Sequence, residues 1–373
     1  MGHPMSHSVH MSAPDLDDSD IDAVVRVLRS GRLALGQRAV EFERIVADYV
    51  GVEHAVAVSS GTAALHLAAI ALGIGPGDEV LVPSFTFAAS LNAILYQGAR
   101  PVFVDIDPDT YNLSPADLEK KITDRTKAIM AVDVFGHPVD WAQIESIARS
   151  HDLRVIDDSC EALGAEYRGT KVGRFGDAAT FAFYPNKQLT TGEGGMLVTD
   201  DPRIASLARS LRNQGRGEMG AWLDHDRLGY NYRMDEMSAA LGASQMARLE
   251  LFLTKRENVA CLYTERLEAV GRVRAPIVRP QVRMSWFVYV VTLESDLDRN
   301  AIMLEVESHG IPVRGYFSPM HLQPYVRQLL DVDTECLPVT EDIARRTIAL
   351  PFHNNLTLDE IDRVVNTLRE VLH

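Results

Sequence analysis

A single lysine in a glycine-rich loop is the first residue of the sequence that could do chemistry. Lys187 follows a short apolar strand predicted over residues 178–183, and three glycines close the loop before a second strand at 196–199. The glycines allow close approach of the backbone, and the preceding aromatic residues shield the amine from water. An amine kept dry loses its proton more readily and becomes a nucleophile toward aldehydes. Without its context, Lys187 would be an ordinary loop lysine.

A carboxylate at the end of a buried strand supplies that context. Asp158 follows an apolar strand predicted over residues 153–156, and α/β sheets bind ligands at the carboxyl ends of their strands. Pyridoxal phosphate requires both groups, because its aldehyde forms a Schiff base with a lysine and its ring nitrogen needs a carboxylate to stay protonated. The sequence therefore predicts pyridoxal phosphate as cofactor, with Lys187 and Asp158 as the catalytic residues.

Five segments together resemble one family, the DegT-type sugar aminotransferases, which are pyridoxal-phosphate enzymes of fold type I. They are residues 60–65, 83–87, 155–158, the loop around Lys187, and residues 229–234. Each segment alone is weak, but their number and order are specific, and they extend through most of the chain. Within the family, the sequence is similar to the 4-aminotransferases of the perosamine-synthase type.

The resemblance implies transfer of an amino group from an amino acid, L-glutamate being expected, to a keto sugar carried on a nucleotide. The pathway would be the biosynthesis of deoxyamino sugars. It also implies a set of cofactor-binding residues: Gly61, Thr62, Phe87, Asp158, Glu161, Lys187 and Asn231. In this family a homodimer with shared active sites is expected.

For some of these cofactor-binding roles the residue types themselves give support, whereas for others the resemblance is the only support. Gly61 and Thr62 open a helix, where free N–H groups bind phosphate, although the segment also fits a simple helix cap. Phe87 would pack on the cofactor ring by resemblance, and a core position is the alternative. Asn231 would reach the phosphate held by the neighbouring chain, whereas by itself it is an asparagine in a turn.

Two positions depart from the family pattern. Glu161 stands where many members have glutamine or histidine, and its place in the turn after Asp158 predicts that it lies beside the cofactor. By resemblance, it favours 4-keto-6-deoxy sugars of the perosamine type as acceptors. Ala182 stands where the family often has a serine that contacts the phosphate, so that contact must come from elsewhere.

The segment at residues 314–321 resembles a family loop near the sugar. Arg314 and His321 are therefore candidate substrate-binding residues, and for His321 a structural role is an equal alternative. The nucleotide, the position of the keto group on the sugar and a cyclitol acceptor all stay open.

The elements that must position these residues form an α/β fold. Apolar strands alternate with helical stretches from residue 54 onward, a pattern that predicts a mostly parallel sheet covered by helices on both faces. From residue 251 the pattern changes to a smaller α+β unit. We therefore expect a flexible tail at 1–12, a large cofactor-binding domain at 13–250 and a small C-terminal domain at 251–373, as in fold type I enzymes.

Composition and charge exclude several classes of binding partner. A formal net charge of −15 argues against nucleic acid and anionic membranes, and no apolar window is long and uninterrupted enough for a membrane span. Three cysteines argue against a disulfide framework. With a polar N-terminus that lacks a signal peptide, a cytoplasmic protein is expected. No metal site is predicted.

Other functions remain compatible with the same cofactor residues. The cofactor could instead run an elimination or a desulfuration, because the protein selects which bond breaks. Family members that dehydrate sugars have histidine in place of the lysine, so Lys187 argues against that reaction. A regulatory protein that binds pyridoxal phosphate without turnover is the non-enzymatic alternative.

Overall fold

Strands and helices alternate along most of the chain. In this computed structural model the described residues are 9–217, 224–330 and 336–373. The described strands are β1 (His54–Val58), β2 (Glu79–Pro83), β3 (Arg100–Val104), β4 (Thr126–Val132), β5 (Arg154–Asp158), β6 (Glu166–Tyr167), β7 (Thr170–Lys171), β8 (Ala178–Ala182), β9 (Gly195–Thr199), β10 (Val273–Arg274), β11 (Val282–Arg283), β12 (Tyr289–Leu293) and β13 (Thr347–Leu350).

Helices connect and cover these strands. The described α-helices are α1 (Asp18–Ser30), α2 (Gln37–Val50), α3 (Gly61–Ala71), α4 (Ala88–Leu95), α5 (Pro115–Lys120), α6 (Trp141–Ser150), α7 (Pro202–Arg212), α8 (Glu236–Met246), α9 (Leu249–Leu267), α10 (Arg299–Ser308), α11 (Pro324–Leu330), α12 (Pro338–Arg346) and α13 (Leu358–Leu372). The last begins with a capping box formed by Thr357 and Glu360.

Seven strands form the central sheet, in the order β1-β9-β8-β5-β4-β2-β3. The pairs among β8, β5, β4, β2 and β3 are parallel, whereas β9 is antiparallel to both of its neighbours. Parallel neighbours need a crossover connection, but β8 and β9 are joined directly by the Lys187 loop, so they must be antiparallel. The predicted α/β class with a mostly parallel sheet is confirmed, and the Lys187 loop lies at the carboxyl end of β8.

The central strands are mostly apolar and buried because helices cover both faces of the sheet. All five residues of β2 are buried, as are all five of β9. Helix α3 is buried along most of its length, with Ala64, Leu65 and Leu67 in the core. A rigid, dry sheet of this kind fixes the loops at the carboxyl ends of its strands.

A second core lies under the three-stranded sheet β10-β12-β13. Helices α9, α10 and α13 supply apolar side chains to it, and Tyr263 stacks on Tyr289 with ring centres 5.0 Å apart. Val9 is buried in this core, and the Phe352 N–H donates to the Met11 carbonyl at 3.0 Å. The flexible tail expected through residue 12 is therefore too long, because residues 9–11 are held by burial and by this hydrogen bond.

Helix α1 carries apolar residues at helical spacing in the sequence, but only some of them are shielded from solvent. Ile21 and Leu28 are 57% and 52% exposed. Asp17 and Asp20, at the start of the helix, form ion pairs with Arg248, which lies between α8 and α9. The periodicity correctly predicts the helix, but the apolar stripe faces outward from this chain.

Candidate active site

Lys187 is held in place by contacts on several sides. Its backbone N–H donates to the Tyr184 carbonyl at 2.9 Å, closing a tight turn after β8. The Nζ atom lies 3.5 Å from Glu161 Oε1 and 3.7 Å from the centre of the Phe287 ring. The side chain is only 12% exposed. The amine is thus largely shielded from water, as the sequence predicted, and has one carboxylate neighbour.

A buried arginine on α9 fixes the backbone around that lysine. Arg256 donates to the carbonyls of Asn186 and Lys187 at 3.3 and 2.9 Å. It also donates to the carbonyls of Trp286 and Phe287, both at 3.1 Å. Burial lowers the pKa of Arg256 to about 10. One guanidinium therefore ties the lysine loop to the segment that carries the Phe287 ring.

Asp158 lies at the end of β5, in the middle of the sheet. Its Oδ2 accepts a hydrogen bond from Ser90 Oγ at 2.6 Å, and its Oδ1 accepts one from the Cys160 N–H at 3.2 Å. Ser90 follows Phe87 by three residues at the start of α4, so both residues face the same site. Asp157 points to the opposite face, because side chains alternate along a strand.

The start of α3 forms a cradle beside β8. Ser60 caps the helix by accepting from the Ala63 N–H at 3.1 Å, which leaves the N–H groups of Gly61 and Thr62 at the open helix end. A Cβ atom at Gly61 would stand 2.7 Å from Ala182 Cβ and 2.9 Å from Cys160 Sγ. Only glycine allows the helix end to come so close to the strand.

These elements enclose one cavity of about 400 Å³. Its walls include six of the residues predicted from the sequence: Gly61, Thr62, Phe87, Asp158, Glu161 and Lys187. An amine, a carboxylate and a helix end with free N–H groups face one space, as a small aldehyde with a ring nitrogen and a phosphate would require. Asn186 Oδ1 is buried in the same wall without a hydrogen-bond partner. The residues present therefore fit pyridoxal phosphate.

Glu161 lies beside Lys187 and lines the cavity in which we expect the cofactor. Burial raises the pKa of the Glu161 carboxyl, and the nearby Lys187 amine opposes part of that rise. The other carboxylate oxygen accepts from the Phe135 N–H at 2.9 Å. Glu161 is thus a fixed wall residue of the cavity and not a solvated surface charge.

Three predicted residues lie outside this cavity. Asn231 is exposed and forms a backbone bridge with Asn213. Arg314 is exposed and bonds to Glu307 at 2.9 Å. His321 is buried, 2.6 Å from Ser84 Oγ, which is the structural arrangement that the sequence left open. This chain alone does not bring them to Lys187.

Three aromatic residues of the cavity were not singled out from the sequence. Tyr316 and Phe317 line it from the segment at 314–321, and Phe287 lines it from the segment before β12. The resemblance of residues 314–321 was the available signal, but it did not show which side chains turn inward. The Phe287 position had no signal, because an apolar residue before a strand usually belongs to a core.

A mostly parallel α/β sheet with a shielded lysine, a strand-end carboxylate and a helix-end cradle is the arrangement of a pyridoxal-phosphate transferase of fold type I. Residues 14–369 match the model of the DegT/DnrJ/EryC1/StrS aminotransferase family. The chain belongs to this aminotransferase family, as its sequence segments predicted.

Relatives and solved structures agree with that assignment. The chain is 43% identical to GDP-perosamine synthase of Caulobacter vibrioides, over 98% of both chains. It is 38% identical to a UDP-N-acetyl-3-dehydro-alpha-D-glucosamine 3-aminotransferase of Acidithiobacillus ferrooxidans, covering 96% of this chain and 95% of the relative. A Streptococcus pneumoniae protein described as a sugar aminotransferase, solved in a PLP form, superposes with a TM-score of 0.92 at 29% identity over 98% of both chains.

None of the helices in the described part of the chain is long and apolar enough to cross a bilayer. The same part of the chain contains no cluster of three or more histidine, cysteine or acidic residues arranged to hold a metal ion.

Proposed function

We propose that this aminotransferase holds pyridoxal phosphate in the cavity around Lys187 and transfers an amino group from L-glutamate to a nucleotide-linked keto sugar. The observation that carries the proposal is the enclosure of Lys187, Asp158 and the α3 helix end in one cavity. When bound, the cofactor supplies an aldehyde that condenses with amines and a ring that delocalises an electron pair.

Each residue has a separable task. The Lys187 amine attaches the cofactor and, once released, moves a proton to and from the reacting carbon. The Asp158 carboxylate, fixed by Ser90 and the Cys160 N–H, holds a proton on the ring nitrogen. The first N–H groups of α3, at Gly61 and Thr62, bind the phosphate. Phe87 packs on the ring from the start of α4.

For the acceptor we propose a 4-keto-6-deoxy sugar of the perosamine type, with GDP as the nucleotide to test first. The 43% identity to a GDP-perosamine synthase supports this choice. A sugar with its keto group at C3 is the alternative, supported by the similarity to a 3-aminotransferase that acts on a UDP sugar. Arg314 is two residues before Tyr316, which lines the cavity, and this closeness in the chain supports Arg314 as a candidate contact for the nucleotide part of the substrate.

The proposal includes a homodimer in which Asn231 completes the partner's phosphate site. Asn231 is exposed and lies outside its own cavity, so it is available to another chain. Ala182 has no hydroxyl to contact the phosphate, and the partner's asparagine would supply the missing hydrogen bond.

Exposed apolar side chains support this dimer. The apolar side chains that extend from α1 to the start of α2 are between 42% and 57% exposed; they are Ile21, Leu28, Leu33, Leu35 and Val40. Two of these, Leu35 and Val40, line a surface cavity of about 360 Å³ together with Asn213 and Arg233, which flank Asn231 in the structure. Burial of such a patch against a second copy is the usual explanation for its exposure in one chain.

A half-reaction tests the enzymatic part. Glutamate added to the purified, cofactor-loaded protein should convert the cofactor's absorption to that of pyridoxamine phosphate without any sugar present. A panel of GDP-, UDP- and dTDP-linked 3-keto and 4-keto sugars should then restore the original spectrum with one class of sugar. No conversion with any amino acid would indicate the regulatory alternative, and release of ammonia would indicate elimination.

We also propose a cytoplasmic location, which the three free cysteines support.

A further inference from the structure

Behind Asp158 lies a cluster of three buried polar side chains that the proposed mechanism does not use. Asp133 follows β4, while Asp157 and Ser159 flank Asp158 at the end of β5. Ser159 Oγ lies 2.7 Å from Asp133 Oδ2 and 2.6 Å from Asp157 Oδ1. All three side chains are inaccessible to solvent.

The number of hydrogens in this cluster follows from its geometry. A hydroxyl carries one hydrogen, so Ser159 can donate to only one of its two carboxyl neighbours. The other carboxyl must then carry a proton, which it donates to Ser159 Oγ or to the facing carboxylate. The outer oxygens cannot hold that proton, because Asp133 Oδ1 accepts from the Val139 N–H at 2.8 Å and Asp157 Oδ2 accepts from the Gly173 N–H at 2.9 Å.

Electrostatics favours the same state. Burial raises the pKa of Asp133 to about 7 and raises that of Asp157 well above its ordinary value, and the nearby charge of Asp158 adds to both. Asp158 is the charged group that faces the pair, while the flanking loops present the N–H groups of Val139 and Gly173. Two adjacent dry carboxylates do not ionise together, so the pair titrates as a unit.

The cluster is joined to Asp158 through the backbone. The Asp133 N–H donates to the Asp158 carbonyl at 3.1 Å, and Asp158 lies between Asp157 and Ser159 in the chain. We propose that Asp133, Ser159 and Asp157 share one proton and act as a positioning cluster, which fixes the ends of β4 and β5 around Asp158 and limits the negative charge behind the cofactor ring. This inference rests on the proposed role of Asp158.

Replacement of one acid by its amide tests the proton count. In Asp133→Asn, the amide NH2 can donate to Ser159 while the amide oxygen accepts from the Val139 N–H, so both hydrogen bonds are kept without a titratable proton. Asp157→Asn should behave in the same way. The double variant places one hydrogen too many on Ser159 and should melt below either single variant at every pH.

The stability of the cofactor-free protein should change with pH in a direction that follows from the raised pKa of the pair. A carboxyl whose pKa is raised by folding contributes stability that is present at low pH and is lost as the pH rises through the folded value, here near 7 for Asp133. An asparagine at position 133 does not ionise, so the variant cannot lose this contribution to stability as the pH rises. The unfolding midpoint of wild type should therefore fall relative to that of Asp133→Asn by about 2 °C between pH 6 and pH 8.5.

Asp140→Asn is the matched control. Asp140 lies in the segment after Asp133, but hydrogen bonds from Tyr167 and Gln143 lower the pKa of its carboxyl. Its ionisation is complete well below pH 6, so the difference between this variant and wild type should not change between pH 6 and pH 8.5. Three results would overturn the shared proton. The first is a difference in unfolding midpoint from wild type that stays constant with pH for Asp133→Asn and Asp157→Asn as well. The others are a double variant as stable as the single variants, and single variants that do not fold.

The positioning role has a spectroscopic readout. In the loaded enzyme, the second negative charge that wild type acquires above pH 7 should raise the pH at which the cofactor's absorption changes. Asp133→Asn should lower that midpoint by about half a unit or more, and Asp140→Asn should not. If the pH midpoint of the absorption change is the same in Asp133→Asn as in wild type, the cluster only stabilises the fold and does not influence the cofactor. Because the unfolding test needs neither cofactor nor substrate, its failure is distinguishable from failure of the proposed function.

Discussion

The two ends of the cavity differ in how completely one chain builds them. At the ring end, Asp158 is buried in the middle of the sheet and both of its oxygens have hydrogen-bond donors. At the phosphate end, the α3 cradle is open, Ala182 offers no hydroxyl, and Asn231 is exposed outside the cavity. The comparison is what the proposed dimer would explain: one chain supplies both hydrogen bonds to Asp158, whereas the proposed phosphate site would be completed by Asn231 of a second copy.

The largest effect is expected at the lysine that both ends share. Lys187→Ala removes the amine that attaches the cofactor and moves the proton, so kcat should fall by at least about 10⁴-fold. Lys171→Ala is the control, because Lys171 Nζ bonds to the Tyr49 carbonyl at 2.9 Å, away from the cavity, and activity should stay near wild type. Borohydride reduction followed by peptide mapping should label Lys187. Label on Lys171 contradicts the assignment.

The ring end is tested by removal of its charge alone. Asp158→Asn keeps the shape of the side chain but cannot hold the ring proton, so turnover should fall by about 10³-fold while most of the cofactor stays bound. Steady-state kinetics and the cofactor content of the purified protein measure the two quantities. Near-normal turnover would mean that another carboxylate contacts the ring, although Asp157, the nearest in sequence, points into the cluster with Ser159.

The phosphate end is tested by mixed dimers. Asn231→Asp sets a carboxylate against the phosphate and should weaken cofactor binding by about 10-fold to 100-fold, since like charges repel at short range. Co-expression with Lys187→Ala then distinguishes the models. If Asn231 acts on the partner's site, a mixed dimer has one site with both defects and one intact site, and about half of the wild-type activity returns. Purified mixed dimers without activity would show that the two ends belong to the same chain.

A smaller effect should sharpen the description of the ring end. Ser90→Ala removes the 2.6 Å hydrogen bond to Asp158 Oδ2 and should lower kcat/KM by about 10-fold, the value of one hydrogen bond to a charged group. Thr86→Val is the matched control, because Thr86 Oγ1 lies 2.9 Å from Ser90 Oγ and, within the described part of the chain, does not hydrogen-bond to Asp158. Equal losses in the two variants would indicate general disturbance of α4 and not a specific contact.

Sequence reasoning located the elements better than their ends. The apolar pattern of the sequence indicates a strand at 102–105, whereas β3 runs from Arg100 to Val104. It indicates a helix at 87–96, whereas α4 covers Ala88–Leu95, with Phe87 as its cap. Periodicity reports which face is apolar, but hydrogen bonding and capping decide where an element stops. Helix α1 shows a second limit of periodicity. The apolar stripe predicted the helix, but it did not show whether the stripe packs inside this chain or faces outward.

The sequence by itself determined the local chemistry of this protein. The glycine-flanked Lys187, the strand-end Asp158 and the helix start at Gly61 are readable because each depends on its own neighbours in the chain. Only the tertiary structure decided which distant side chains complete the site. Tyr316 and Phe317 turn into the cavity, while His321 packs against Ser84. Such contacts join residues more than two hundred positions apart, and they are set by the packing of whole elements, which no short stretch of sequence encodes.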